Sequence, residues 1–457
     1  MNFKSLSLAP TILSNLKTLG YNSMTPIQAK SLPLILEGND IIGQAKTGSG
    51  KTAAFGLGVI SNLIDNVPGI QSLILCPTRE LADQVSSELR KLARSTPNVK
   101  IITTCGGISE SSQARSLSKG AHIVVGTPGR VLKFLKTDKM QLDYVNTFVL
   151  DEADKMLDMG FSEDIELIGS YLPRKRQSLL FSATFPKEIQ KLSQLILTNA
   201  KTVKVDLAIK KNLIKEIFYQ VEDHSHKIKY LSRLLGKYQP ESTVIFCKTK
   251  IICDEVAQYL IEKGVSAISI HGDHEQKRRT LALTKFSNGS CLVLVATDVA
   301  ARGLDIKNLK AVINFDLTSD IKGYIHRIGR TGRQENAGLA LSFFVEKETY
   351  KLEAIEKHQD TKLTVHEVNH LKGSKPFKLK PKYTTLYISG GRKDKIRPGD
   401  IVGGIIGTSK IEAQYIGDIN ILDTFSYVAI DTLYSEQVIT ALKNGKIKKR
   451  KYRVGKA

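Results

Sequence analysis

Cysteine is scarce in this sequence and is not arranged in pairs. The five cysteines are scattered, and no two of them form a C-x-x-C motif. Four lie in or beside apolar, β-like segments, where cysteine usually serves as a small buried hydrophobe. This odd, scattered set argues against a disulfide framework or a zinc site. We therefore expect the chain to work in a reducing compartment.

Long apolar segments are also missing. No run approaches the roughly 20 residues that a membrane-spanning helix needs. The first 16 residues contain neither a sustained apolar segment nor the small-residue cleavage site of a secretory signal. We therefore expect a cytoplasmic protein without a membrane partner. The sequence offers no sign of an obligate protein partner.

Acidic residues are in the minority, since 67 Lys/Arg face 45 Asp/Glu and leave a net charge of +22. Such an excess attracts polyanions, and nucleic acid is the first candidate because neutralised phosphates release counterions. A generally basic surface or attraction to anionic lipid is the alternative. Residues 372–457 hold 18 Lys/Arg against seven Asp/Glu, about half of the excess. This asymmetry favours a nucleic-acid partner.

Two long stretches alternate short, apolar, β-branched segments with helical patterns. The segments are 71–77, 100–105, 122–128, 147–153 and 177–184, then 242–249, 266–273, 291–298, 310–316 and 339–345. Buried parallel strands have this appearance, so we predict two α/β domains, 1–207 and 208–371. Polar clusters follow several of these segments, at the sheet edge where ligand sites gather.

The remainder of the chain is predicted to be a linker and a small α+β domain. Residues 372–382 are basic, contain two prolines and read as a linker. Residues 383–457 read β-α-β-β-α-β. The predicted strands are 384–389, two within 411–430, and 446–454, and the helices follow Pro398 and cover 435–444.

A phosphate-binding loop is predicted at residues 45–52, between an apolar strand and a helical pattern. Its glycines let backbone N–H groups turn toward a phosphate, and the helix N-terminus adds partial positive charge. Lys51 can reach the β- and γ-phosphates of a nucleotide, and the Thr52 hydroxyl can hold Mg²⁺. The predicted ATP-binding residues here are Ala45, Thr47, Gly48, Ser49, Gly50, Lys51 and Thr52.

An acidic pair and an arginine pair complete the predicted chemistry. Asp151 follows an apolar strand and can hold Mg²⁺ opposite Thr52, while Glu152 can orient or deprotonate the attacking water. Without the phosphate loop, an acidic pair after a strand would indicate only a solvated loop or a helix cap. Arg330 and Arg333, one helical turn apart, could stabilise the charge of a transferring phosphoryl group. The predicted catalytic residues are Lys51, Asp151, Glu152, Arg330 and Arg333.

In this order, the motifs resemble those of the DEAD-box RNA helicase family from residue 3 to about residue 345. The resemblance implies two RecA-like parallel-sheet domains in tandem, ATP and Mg²⁺ as cofactors, and local unwinding of short RNA duplexes. It also implies that Gln28, at the end of GYNSMTPIQ, reads adenine, that Phe3 stacks on the base, and that Asp305 contacts the ribose.

The same resemblance implies RNA contacts in both domains and a coupling segment. The implied RNA-binding residues are Thr78, Arg79, Gly106, Gly107, Thr127, Pro128, Gly129, Arg130, Arg279 and Thr297. Ser182 and Thr184 match the segment that couples hydrolysis to strand separation. Backbone and 2′-OH contacts would favour RNA over DNA. A DNA helicase on the same fold is the alternative.

The tail resembles two patterns of RNA-binding domain. Its element order resembles an RRM, with Tyr387, Phe425 and Tyr427 at base-stacking positions, although Asp423 and Thr424 depart from the longer signature. Its sequence resembles the DbpA-type RNA-binding domain more closely. That resemblance implies 23S rRNA in assembling large (50S) ribosomal subunits as the target. A general RNA helicase or RNA chaperone of RNA decay or cold response is the alternative.

The basic run 446–451 near the end of the tail is the second candidate for RNA contact there. A solvated basic strand is the other interpretation, and we favour phosphate contact because the run reinforces the charge of its domain. The predicted residues are Lys446, Lys448, Lys449, Arg450 and Lys451.

Overall fold

The computed structural model describes residues 2–45, 48–205, 214–301, 309–332, 337–371 and 376–457. The chain forms two compact units, one holding the described residues up to 205 and the other those from 214 onward. Within these described ranges, the first unit contains one sheet and the second contains two. None of the helices in the described ranges combines the length and hydropathy that a membrane-spanning helix needs.

Seven strands form the sheet of the first unit, and all of their pairings are parallel. They are β1 Ile41–Gln44, β2 Ser72–Leu75, β3 Ile101–Thr104, β4 Ile123–Gly126, β5 Thr147–Asp151, β6 Gln177–Ser182 and β7 Lys201–Lys204. Their order is β3-β4-β2-β5-β6-β1-β7. The predicted strands are confirmed. Edge strand β7 was not predicted, because Val203 is its one buried residue and gives no apolar run.

Nine α-helices cover this sheet within the described part of the unit. They are α1 Pro10–Thr18, α2 Pro26–Leu36, α3 Lys51–Ser61, α4 Arg79–Leu92, α5 Glu110–Leu117, α6 Pro128–Lys136, α7 Ala153–Asp158, α8 Ser162–Ser170 and α9 Lys187–Ile196. Proline at the first position starts α2 and α6, since its fixed φ suits that turn. In α4, Leu81, Val85 and Leu89 recur at four-residue spacing and bury one face of the helix.

The larger sheet of the second unit repeats the topology of the first. Its strands are β8 Ile214–Val221, β9 Thr243–Cys247, β10 Ala267–Ile270, β11 Val293–Thr297, β12 Ala311–Asn314, β13 Gly338–Val345 and β14 Thr364–Glu367. They are parallel, in the order β10-β11-β9-β12-β13-β8-β14. Strands β8 and β14 were not predicted, because β8 starts inside a lysine-rich segment that read as a connection and β14 is mostly exposed.

Six α-helices belong to this sheet within the described residues. They are α10 His224–Tyr238, α11 Lys250–Glu262, α12 Gln276–Ser287, α13 Asp298–Ala301, α14 Ile321–Ile328 and α15 Thr349–Gln359. The strands between them are buried apolar segments, as the sequence predicted for a parallel sheet.

The third sheet is small and antiparallel, in the order β16-β17-β15-β18. Its strands are β15 Tyr383–Ile388, β16 Ile416–Ile421, β17 Ser426–Asp431 and β18 Val454–Lys456, and its helices are α16 Pro398–Ser409 and α17 Ser435–Asn444. One sheet face packs on both helices through a core that includes Leu386, Ile401, Val428 and Val438. The predicted β-α-β-β-α-β order is therefore confirmed.

The predicted last strand, 446–454, is wrong in its position. Lys448 and Lys449 have φ values of +49° and +65°, which no strand accommodates. The chain turns there, with Ile447 and Arg450 exchanging backbone hydrogen bonds. Ile447 is buried in the domain core and anchors the turn, so pairing with β15 begins only at Val454. The basic run is therefore a tight turn, which we call the basic turn (446–451).

The other face of the small sheet packs on α12 and the residues that follow it. The Asn288 amide donates to Thr385 Oγ1 at 3.0 Å, and Thr385 Oγ1 donates to Ser290 Oγ at 2.8 Å. At the sheet margins, Lys285 Nζ donates to the carbonyl of Ala457, and Asn420 donates to Thr284 Oγ1. The small domain thus docks on the second parallel sheet's domain through polar contacts.

Candidate active site and RNA-binding surfaces

The predicted phosphate loop requires glycine at its end. Gly48 and Gly50 adopt φ values of +82° and +96°, a region that residues with a side chain rarely enter. A Cβ on Gly50 would also lie 2.6 Å from Gln28 Nε2. Lys51 then begins α3 and is buried, and its Nζ donates to the Ala45 carbonyl at 2.9 Å. Thr47 lies outside the described residues.

Asp151 has the properties of a cation ligand. It ends β5 and is buried, and among the described residues its Oδ1 has no hydrogen-bond partner. Burial raises the pKa of Asp151, and the nearby Lys51 opposes that change. A buried carboxylate oxygen without a donor is best satisfied by a cation. Together with half-buried Thr52 in the first turn of α3, Asp151 fits Mg²⁺.

Glu152 is held by an ion pair that sequence reasoning missed. It occupies the N-cap of α7 with φ +53° and ψ +49°, an uncommon conformation for a residue other than glycine. Its Oε2 lies 2.6 Å from Lys155 Nζ, and both side chains are buried. The ion pair fixes the direction of the carboxylate. The three-residue spacing of Glu152 and Lys155 is the sequence signal that could have predicted this ion pair.

Ser182 and Thr184 are joined to the acidic segment through Asp154. The Asp154 carboxylate accepts hydrogen bonds from the Thr184 amide at 2.9 Å and from Thr184 Oγ1 at 3.0 Å. The Asp154 amide donates to Ser182 Oγ at 3.3 Å, and that hydroxyl donates to the Thr184 carbonyl at 2.6 Å. The end of β6 and the start of α7 therefore form one hydrogen-bonded network. Its role in coupling stays a prediction.

The two residues predicted to contact adenine are both used inside the protein. Gln28 Oε1 accepts from the Thr25 amide at 2.9 Å, and its Nε2 donates to the Gly50 carbonyl at 3.1 Å. Gln28 therefore connects the cap of α2 to the phosphate loop. Phe3 is buried and meets Tyr21 edge to face, with ring centroids 6.0 Å apart. Base contacts by Gln28 and Phe3 stay predictions.

The predicted RNA-contacting segments of the first unit follow three neighbouring strands, β3, β4 and β2. Arg79, in the first turn of α4, lies against the glycine pair, so that a Cβ on Gly107 would stand 1.9 Å from its Nη1. Arg130 Nη1 donates to the Ile108 carbonyl at 3.3 Å. Since parallel strands end at the same edge, the sheet gathers Thr78, Arg79, Gly106, Gly107, Thr127, Pro128, Gly129 and Arg130 there. The phosphate loop and acidic pair follow β1 and β5.

In the second unit, the predicted residues occupy separate elements. Arg279 lies in the first turn of α12, Thr297 ends β11, and Arg330 follows α14. Asp305 and Arg333 lie outside the described residues. The sequence reasoning missed Arg327, whose Nε and Nη2 both lie 2.6 Å from the Asp298 carboxylate. This bidentate ion pair, between the buried Arg327 and the partly exposed Asp298, holds the helix that leads to Arg330.

The aromatic residues predicted to stack bases lie together on the small sheet. The ring centroid of Tyr387 is 5.6 Å from that of Phe425 and 6.3 Å from that of Tyr427. The face that carries them is the one that packs on α12, and Tyr427 is only 2% exposed. Lys277 Nζ, from α12, lies 5.8 Å from the centroid of Phe425. Base stacking by these rings stays a prediction.

The basic turn presents most of its charges to solvent. Lys446, Lys449, Arg450 and Lys451 are exposed. Lys448 is partly engaged, because its Nζ donates to the Lys395 carbonyl at 2.8 Å and lies 3.5 Å from Asp400. The turn therefore offers four cations within six residues.

Comparison with known proteins agrees with this arrangement. Residues 25–192 match the DEAD/DEAH box helicase family, residues 226–335 the helicase conserved C-terminal domain, and residues 385–456 the DbpA RNA binding domain. The structure of Saccharomyces cerevisiae Dbp5 bound to RNA and ADP BeF3 is similar with a TM-score of 0.72 and 31% identity. The matched region covers 80% of this chain and 96% of the Dbp5 chain.

The chain belongs to the DEAD-box ATP-dependent RNA helicases, enzymes that bind ATP and RNA, and its fold is two RecA-like domains with a small antiparallel third domain. It is 46% identical over 447 residues to the ATP-dependent RNA helicase DbpA of Escherichia coli (strain K12), covering 98% of this chain and 97% of that protein. The helicase CshA of Bacillus subtilis (strain 168) is 42% identical over 364 residues, covering 79% of this chain and 73% of CshA.

Proposed function

We propose that this enzyme unwinds short RNA duplexes locally and acts on 23S rRNA during assembly of the large ribosomal subunit. The observation that carries the proposal is that similarity to DbpA extends through the tail, whose residues 385–456 match the DbpA RNA binding domain. Similarity to CshA covers only 79% of the chain. A tail with a net charge of +11 suits an RNA target.

In this proposal, ATP hydrolysis depends on the residues that follow β1 and β5. Lys51 and the phosphate loop bind the phosphates, and Asp151 with Thr52 binds Mg²⁺. A cation bound there would supply positive charge beside the phosphates that are transferred. Glu152, directed by Lys155, orients the attacking water. The assignment is supported by the unpaired Oδ1 of Asp151 and by the buried Lys51 at the end of the phosphate loop.

We place the RNA contact of the tail at the basic turn. The turn exposes four cations, whereas the aromatic face of the sheet packs on α12. Phosphate contacts need exposed cations, and base stacking needs exposed ring faces. The basic turn already exposes its cations, so phosphate contact there needs no rearrangement of the domain.

The direct test is RNA-stimulated ATPase activity with 23S rRNA, 16S rRNA and poly(A), at one salt concentration. We expect strong stimulation by 23S rRNA alone. Equal stimulation by all three RNAs would remove the ribosomal target and favour a general RNA helicase of RNA decay or cold response. Because the tail covers α12, point variants are better controls than deletion of the tail.

The double variant Lys449→Ala/Arg450→Ala tests the basic turn, with Lys443→Ala, an exposed lysine of α17, as the matched control. We expect weaker binding to 23S rRNA fragments and a salt dependence whose slope falls by about one unit for each phosphate that the variant no longer neutralises. An unchanged slope in the double variant, together with weaker binding by Phe425→Ala, would move the RNA contact to the sheet.

A further inference from the structure

A cluster of two histidines and an aspartate lies outside the residues proposed to bind ATP, next to the start of α12. Asp254 is on α11, His271 directly follows β10, and His274 lies in the loop before α12. Of the residues that the structure describes, these three form the one group of metal-ligating side chains whose ligand atoms all lie within 4.8 Å of one another. The group contains no cysteine, so C-x-x-C spacing could not reveal it.

The ligand atoms of the cluster lie close to one another. His271 Nε2 lies 2.9 Å from Asp254 Oδ2, and His274 Nε2 lies 3.7 Å from Asp254 Oδ1. The two imidazole centroids are 3.6 Å apart. Around a tetrahedral Zn²⁺ with bonds of about 2.0–2.1 Å, neighbouring ligand atoms stand about 3.3 Å apart. The two measured separations, one to each oxygen of the Asp254 carboxylate, lie on either side of that value, and all three ligand atoms lie within 4.8 Å of one another. Binding one ion would require the two imidazole rings to move apart from their present contact.

The hydrogen bonding of the cluster is incomplete in a way that an ordinary ion pair does not explain. His274 is 8% exposed, and neither of its ring nitrogens has a hydrogen-bond partner among the described residues. His271 is 4% exposed, and its Nδ1 also lacks one. Buried polar groups are nearly always satisfied, so the unsatisfied Nε2 of His274, 3.7 Å from the Asp254 carboxylate, points to an ion or water. Imidazole and carboxylate together select a transition metal rather than Mg²⁺.

The surroundings support a binding site. Ser269 Oγ donates to Asp254 Oδ1 at 2.6 Å and orients the carboxylate, as outer partners of metal ligands commonly do. The Asp254 side chain is 51% exposed, which leaves an entry path from solvent.

We propose that Asp254, His271 and His274 bind a divalent transition-metal ion of the Zn²⁺ class, with solvent in the remaining coordination position. The ion would connect α11 to the loop 271–275. That loop leads directly into α12, the helix that carries Arg279 and docks the small domain. Binding would therefore order the start of α12.

Zn²⁺ binding to the full-length chain is measured by competition with a chromophoric chelator, and Co²⁺ loading by visible absorption. We expect one Zn²⁺ per chain and the intense visible bands of tetrahedral Co²⁺. Asp254→Asn and His274→Leu should each abolish this binding, and Ser269→Ala should weaken it by about 10- to 100-fold. His358→Ala, which removes an exposed histidine of α15, is the matched control and should bind normally.

Hydrogen exchange gives a second measurement that does not depend on helicase activity. Zn²⁺ should slow amide exchange in residues 271–276 of the wild type and of His358→Ala, but not of Asp254→Asn. Asp254→Asn lies on a half-exposed position and should keep its fold, so a failure to bind is not a failure to fold. No bound Zn²⁺ in the wild type, or equal binding by Asp254→Asn and His358→Ala, would overturn the proposal.

Discussion

The two parallel sheets have the same strand order, yet among the described residues only the first sheet has the predicted phosphate loop after its first strand. Counted from its own first strand, each sheet runs 3-4-2-5-6-1-7. In the first sheet six residues separate β1 from α3, and they include the glycines that turn the backbone. In the second, only Glu222 and Asp223 separate β8 from α10. A connection that short and acidic leaves no cradle for a phosphate.

The lysines at the two corresponding places differ in their partners. Lys51 starts α3 and makes its described hydrogen bond to a backbone carbonyl. Lys227, in the first turns of α10, lies 3.1 Å from Asp316 and 3.6 Å from Glu348, and is buried. Asp316 follows β12, the counterpart of β5. Lys227 is therefore neutralised by carboxylates, whereas Lys51 remains available to an anion. The shared topology places both lysines at the start of a helix, and the neighbouring carboxylates give Lys227 a structural role that Lys51 does not have.

The largest effect is expected for Lys51→Ala. Removing the cation from the phosphate loop should lower kcat/KM for ATP about 10³-fold, or about 4 kcal/mol in the barrier, because developing phosphate charge is no longer stabilised. Steady-state ATPase measurements with saturating RNA check this. Lys91→Ala, an exposed lysine of α4, is the control. Near-normal turnover in Lys51→Ala would mean that the loop is not the catalytic site.

Lys227→Met should damage stability rather than ATP binding. Removing one partner of a buried ion pair costs about 3 kcal/mol or more, since Asp316 is left without its cation. Hydrogen exchange can resolve this destabilisation, and we expect faster exchange in β8, α10 and β12 while β1 and α3 stay protected. An equal decrease of ATP affinity in Lys227→Met and Lys51→Ala would break the distinction between the two lysines.

Glu152→Gln should slow hydrolysis about 10²-fold while ATP still binds, because the amide cannot accept a proton from water as the carboxylate does. Nucleotide binding by fluorescence titration and turnover by phosphate release separate the two quantities. Glu166→Gln, an exposed acid of α8, serves as control. Unchanged turnover in Glu152→Gln would contradict the role assigned to this residue.

The smallest effect is expected where the small domain docks on α12. Asn288→Ala and Thr385→Val each remove one side of a buried hydrogen bond, and their coupling should be about 1 kcal/mol. A double-mutant cycle on the stability of the second unit measures it. Additive effects would mean that the docking contact contributes no stability.

Much of the fold was predictable because each element depends on neighbours in sequence. The ten apolar segments became strands, and the phosphate loop and acidic segment lie at carboxyl ends of the first sheet as expected. The exceptions are strands with little burial, β7 and β14, and strand β8, whose start is rich in lysine. These strands form through pairing with a neighbour, and their own sequences carry a weak periodic signal.

The candidate sites also have a part that the sequence predicts and a part that it does not. The positions of Lys51, Asp151 and Glu152 follow from a strand–loop–helix pattern within a few residues. Their partners do not, since Gln28 reaches Gly50 across 22 residues and Asp154 reaches Thr184 across 30. The basic turn was misplaced as a strand, because a buried isoleucine and two left-handed lysines override the apparent alternation.

The sequence by itself determined the two α/β domains, the phosphate loop, the acidic pair and the basic tail, because periodicity and motif spacing are local properties. Only the tertiary structure decided that Lys227 is bound by carboxylates, that the aromatic face of the small sheet packs on α12, and that Asp254 meets two histidines. Those outcomes depend on side chains 17 to 97 positions apart, and only folding brings such residues together.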